Sequence, residues 1–183
     1  MRELDAPFEW LKSAMTVNLA YNSTDPNVGF KLTADREGMK CYMADTGLLA
    51  THAFSDTPEA TKDVLWKILT GKIELNKWML MENVVAQMLR AAGHELYFHK
   101  TFDREDEKKR MEVDFLIMKS KISSRRNVIA IEVKSANDYT TISLERYQAR
   151  YPGYCAERVV LHPGNADFDG DITYLPLYMA SLV

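Results

Sequence analysis

Two alternating runs constrain this chain more than any other feature. Met111 to Met118 reads Met-Glu-Val-Asp-Phe-Leu-Ile-Met, and after a basic turn residues 127–135 read Asn-Val-Ile-Ala-Ile-Glu-Val-Lys-Ser. Val113, Phe115 and Ile117 alternate with Glu112, Asp114 and Leu116; Ile129, Ile131 and Val133 alternate with Ala130, Glu132 and Lys134. A period of two is the signature of a strand, so two strands are predicted. Burying the apolar stripes turns Asp114, Glu132 and Lys134 to the opposite face, and pairing the strands in one sheet gathers two carboxylates and an ammonium on one surface.

That surface has a chemical use. Mg²⁺ takes oxygen ligands and is commonly held by one or two carboxylates, with waters and phosphate oxygens completing its shell. Asp114 and Glu132 are the candidate ligands. Lys134 lies two residues beyond Glu132, roughly 6 to 7 Å along the same face, within reach of a water or phosphate at such an ion. The competing reading is the solvated outer face of an antiparallel ribbon, which has the same alternation.

The rest of the chain narrows the class. At 183 residues, with 46% hydrophobic and 27% charged residues, it suits one domain, or one with a small appendage, and can bury a substantial core. No apolar run approaches the roughly 18 residues of a membrane span, and Met1 to Trp10 lacks a signal-peptide core, so a cytoplasmic protein with no membrane partner is expected. Cys41 and Cys155 are far apart, and His52, His94, His99 and His162 show no zinc spacing. A net charge of −3 gives no global pull toward nucleic acid, so such contact needs local basic groups. The cluster Lys119, Lys121, Arg125 and Arg126 is one, and equally reads as a solvated turn.

A long helix is expected over residues 74–92, stopped by Gly93, with Glu82, Val85, Ala86 and Leu89 on one side at helical spacing. A carboxylate on that stripe requires a partner or a metal, or else reaches water from its edge. Before it, a helix from Pro7, strands at residues 17–21 and 30–33 around a turn, a strand at 40–43, an Asp45-capped helix and a helix beginning near Pro58 are predicted. After Lys134 come a helix near 143–151, strands at 158–161 and 172–175, and a short helix from Pro176.

Glu82 on a helix, Met-Glu-Val-Asp114-Phe and Ile-Glu132-Val-Lys134 in this order resemble the restriction-endonuclease-like PD-(D/E)XK superfamily. With Cys-Tyr-Met-Ala-Asp-Thr-Gly-Leu-Leu, Glu-Asn-Val-Val-Ala-Gln and the closing Leu-Pro-Leu-Tyr-Met, the chain resembles the DUF4143 domain, the C-terminal part of prokaryotic AAA-type ATPases. The resemblance implies an α/β fold with a mixed central sheet flanked by helices over residues 40–183. Residues 1–39 are similar to the end of a winged-helix linker, a small remnant or an irregular edge of the main domain. It assigns Asp114, Glu132 and Glu82 to a Mg²⁺ or Mn²⁺ ion, and Lys134 to orienting the attacking water or stabilising developing charge. The implied activity is phosphodiester hydrolysis of nucleic acid, and the implied alternative is a catalytically inactive interaction or oligomerisation module. No phosphate-binding Gly-x-x-x-x-Gly-Lys-Ser/Thr loop occurs, so ATP belongs to an upstream ATPase domain of the parent chain, itself an expected partner.

Overall fold

The alternating runs form neighbouring strands in the middle of one sheet. The computed structural model describes residues 5–26, 29–54, 62, 66, 77–102, 106, 110–119, 127–136 and 139–183. In chain order these give α1 (Asp5–Ser13), β1 (Val17–Ser23), α2 (Phe30–Thr33), β2 (Ala34–Met43), α3 (Thr46–Phe54), α4 (Lys77–Ala91), β3 (Leu96–Thr101), β4 (Met111–Met118) and β5 (Val128–Val133). Then follow α5 (Ile142–Arg150), β6 (Cys155–His162), β7 (Asp167–Phe168), β8 (Thr173–Pro176) and a closing 3₁₀ segment, Leu177–Leu182.

Among the described residues, eight strands make one mixed sheet in the order β2-β1-β3-β4-β5-β6-β8-β7. β3, β4 and β5 form an antiparallel meander, and β6 lies parallel to β5 after the α5 crossover. Helices cover both faces, so the central strands are buried on both sides and carry few polar positions. On one face α4 sets Val85, Ala86 and Leu89, all at 0% exposure, against Phe98, Phe115, Ile117, Ile129 and Ile131. On the other, Leu144 and Tyr147 of α5 pack on Val113, Leu116, Ala130 and Val160. Each fully buried side chain of this size stabilises the fold by about 1.5–3 kcal/mol relative to leaving it in water.

Two local signals hold. Asp45 Oδ1 accepts the Leu48 N–H at 2.8 Å and caps α3. Gly93, at φ 93°, ends α4 with its N–H on the Arg90 carbonyl and that of His94 on the Leu89 carbonyl, a left-handed helix stop. Phe30–Thr33, predicted as a strand, is instead the short helix α2, because Phe30 turns inward against Tyr97, with ring centroids 4.9 Å apart. The segment read as a winged-helix remnant contributes to the main sheet: β1 pairs parallel with β3, and β2 hydrogen-bonds to β1 as its edge. A boundary at residue 39 therefore falls inside β2. No described helix is long and apolar enough to cross a membrane. Apart from Lys62, Trp66 and Lys119, the helix expected after Pro58 and the basic turn at 119–126 lie outside the described residues.

Candidate functional site

Strict alternation along β4 fails at Asp114, and this decides the site. Tyr97 pairs with Leu116 but His99 with Val113, so β3 advances two residues while β4 advances three. The extra residue is a β-bulge. Val113 consequently packs on the α5 side and Phe115 on the α4 side, where an unbroken strand would point both the same way. Asp114 sits at the bulge, where pairing between β4 and β5 ends at Phe115 and Ile131. Its Oδ2 accepts the Val133 N–H at 2.8 Å, taking the place of a backbone carbonyl where the ladder stops.

Its carboxylate also meets Glu82 of α4. Glu82, one turn before the buried Val85 and Ala86, hydrogen-bonds Asp114 and accepts the Tyr42 hydroxyl at 3.2 Å. Burial, followed by the Asp114 charge, raises the Glu82 carboxyl to about 7, so Glu82 takes up a proton near neutrality. Lys40 comes to this pair from the sheet edge. Its Nζ lies 3.8 Å from Glu82 Oε1, 3.8 Å from Asp114 Oδ1 and 2.9 Å from Glu112 Oε1. Although burial opposes its charge, Glu82, Asp114 and Glu112 hold the Lys40 amine above its ordinary pKa. Lys100, directly opposite Glu112 in register, reaches the second Glu112 oxygen at 2.7 Å.

Glu132 and Lys134 form a separate pair. β5 alternates regularly, so Glu132 shares the face of Val128 and Ala130, under α5, whereas Ile129 and Ile131 face α4. There Ser143 of α5 hydrogen-bonds Glu132, and Lys134 Nζ lies 2.6 Å from Glu132 Oε2, an ion pair rather than an aligned hydrogen bond. Burial raises the Glu132 pKa; Lys134 pulls it back, and the Asp114 charge is close enough to add to the rise. The expected gathering of Asp114, Glu132 and Lys134 on one surface thus becomes two pairs, Glu82 with Asp114 toward α4 and Glu132 with Lys134 toward α5. The cause is the bulge, which turns Asp114 while Glu132 follows the pleat.

Among the described residues, no group of three or more His, Cys, Asp and Glu side chains stands ready to hold a metal ion. Glu82 and Asp114 alone offer two mutually repelling carboxylates at one place, a set that fits Mg²⁺ or Mn²⁺ when water and phosphate fill the remaining positions. A cleft of about 370 Å³ lined by Phe30, Leu32, Gly93, His94, Tyr97 and Met118 contains none of these acids.

Lys40, Tyr42 and Glu112 were not singled out by sequence. Lys40 and Tyr42 alternate on one strand, the sole local signal; their proximity to Asp114 depends on β1 and β3 lying between β2 and β4. No curated protein and no solved structure matches the chain. The model of a domain of unknown function, DUF4143, matches residues 79–179, which include Glu82, Glu112, Asp114, Glu132 and Lys134 and leave out Lys40 and Tyr42. With more than half of its length inside that match, the chain belongs to the DUF4143 family.

Proposed function

We propose that this chain is the nuclease-like domain of a AAA-type ATPase, with a restriction-endonuclease-like fold and a Mg²⁺- or Mn²⁺-dependent phosphodiester hydrolase centre acting on nucleic acid in the cytoplasm. The observation that carries the reading is the Glu82–Asp114 pair, two carboxylates from a helix and a strand brought together in a half-buried site at a proton cost that a cation would relieve. The order of long helix, antiparallel meander, helix and parallel strand supports the fold assignment by analogy.

In this reading Glu82 and Asp114 would hold the ion, whose chemistry would be to activate a water and to neutralise charge on the phosphoryl oxygens. Asp114 is oriented by the Val133 N–H and Glu82 by the Tyr42 hydroxyl. Glu132 fixes Lys134 beside the strand end, with its amine partly open to solvent. The test is a Mn²⁺ melting shift together with cleavage of single- and double-stranded DNA and RNA. A shift that Asp114→Asn removes, and cleavage that Lys134→Ala removes, support the reading. A wild-type protein that neither shifts nor cleaves refutes it.

One observation favours a second reading. Lys40, Tyr42 and Lys100 already answer the charges of Glu82, Asp114 and Glu112, and Lys134 answers Glu132, so the acids also serve as a closed polar network in an interaction or oligomerisation module. Exposed Trp78 and Tyr178 are its candidate contacts. Loss of self-association on Trp78→Ala, with no response to metal, selects this alternative.

A further inference from the structure

Two amines stand near the acids, and the one beside Glu82 and Asp114 is Lys40 rather than Lys134. We propose that Lys40 is the built-in counter-cation of this site: its ammonium and a divalent metal ion exclude one another from the space between Glu82 and Asp114. The inference rests on the metal-binding reading above and adds a residue outside the region matched by the family.

Three features of its placement carry the argument. First, the amine is equidistant from the two carboxylates, 3.8 Å from an oxygen of each, where it offsets both charges at once. Second, the side chain is guided there. Ala20, opposite Lys40 in the β1–β2 register, presents only a methyl group, and the Lys40 amine lies 5.2 Å from the centroid of the Phe98 ring on β3. Third, the lysine has a second anchor. Glu112 binds it at 2.9 Å and is itself held by Lys100 at 2.7 Å, so Lys40 can leave the Glu82–Asp114 pair without leaving a carboxylate.

A doubly charged ion seated between the same two acids would lie within about 4 Å of the ammonium, where repulsion exceeds thermal energy several-fold even at the effective dielectric of a surface site. Metal entry therefore leaves Lys40 with Glu112 alone, and Lys40 weakens metal binding for as long as it stays near the pair. The device offsets part of the acid pair's charge without an ion and sets the concentration at which an ion replaces the lysine.

Calorimetric titration with Mn²⁺ tests this on the wild-type protein, Lys40→Met, Lys100→Met and Asp114→Asn. The expected result is binding about tenfold or more tighter in Lys40→Met than in wild type, within about threefold of wild type in Lys100→Met, and absent in Asp114→Asn. Binding in wild type that Asp114→Asn removes and Lys40→Met leaves equal or weaker overturns the Lys40 inference alone. No binding by any of the four overturns the metal reading and this inference together. Should Lys40→Met not fold, reductive methylation of the wild-type protein, read residue by residue by mass spectrometry, decides the matter. Lys40 is expected to react faster once Mn²⁺ is added, and an unchanged rate refutes the exclusion.

Discussion

Replacing Glu82 by Gln is the most informative perturbation of the acid pair in the absence of metal. The substitution keeps the shape: a glutamine carbonyl still accepts the Tyr42 hydroxyl, and its amide still donates to Asp114. Only the titratable charge is lost. The Glu82 carboxyl rises from 4.5 to about 7 on folding, so between those values the native state holds a proton that the unfolded chain has released. Stability then falls as pH rises through this window, by about 1.4 kcal/mol for each tenfold change in proton concentration. The ceiling is about 3 kcal/mol, and because the Glu82 side chain keeps some contact with solvent, about half of that is expected. Losing the Lys40 contact at 3.8 Å returns less than about 1 kcal/mol, since the pair is partly exposed. Glu82→Gln is therefore expected to stabilise the protein by about 0.5–1.5 kcal/mol at pH 8 and to change it little at pH 5. Urea unfolding followed by circular dichroism in EDTA-containing buffer measures both values. Equal destabilisation at the two pH values would show that Glu82 contributes packing and hydrogen bonding alone, and would refute the charge argument.

Other parts of the molecule give independent checks. Leu89→Ala, at a fully buried position of α4, is expected to cost about 2–5 kcal/mol in urea unfolding, and a cost below 1 kcal/mol would contradict the packing of α4 on the sheet. Gly93→Ala places a Cβ at φ 93° and is expected to destabilise by about 1 kcal/mol; open space around that position leaves backbone strain as the sole cause. His99 is buried beneath Tyr147 and Tyr151, with Nδ1 2.7 Å from the Ser23 carbonyl oxygen, and its burial lowers its pKa below 6.5. The unfolded chain binds that proton first, so this part of the stability is complete above pH 6.5 and is lost as pH falls from 6.5 through the native value. An imidazole NMR titration with a midpoint at or above 6.5 would refute it.

Much of the frame was legible because its causes are local. The α4 stripe, the Asp45 cap, the Gly93 stop and the alternate facing of β5 each depend on residues within a few positions, and the structure reproduces all four, although β5 is buried on both faces. The DUF4143 resemblance was legible for a similar reason, since it rests on short words in order. The interior of the site was not. A bulge changes the facing of Asp114 without altering the residue pattern that would announce it, because the extra residue is defined by the partner strand and not by β4 itself. Phe30 entered a helix because a tertiary partner, Tyr97, was available to it.

What the sequence determined by itself was most of the elements, the segment at Phe30–Thr33 excepted, and which residues carry charge: periodicity and capping act over one turn or one pleat. What only the tertiary structure decided was which charges meet. Lys40 reaches Asp114 because β1 and β3 intervene between β2 and β4 in a long-range strand order, while Glu132, one residue beyond the Phe115–Ile131 pair where the ladder ends, is carried to the α5 face by regular alternation. Facing and strand order are properties of pairing between distant segments, and no single segment contains them.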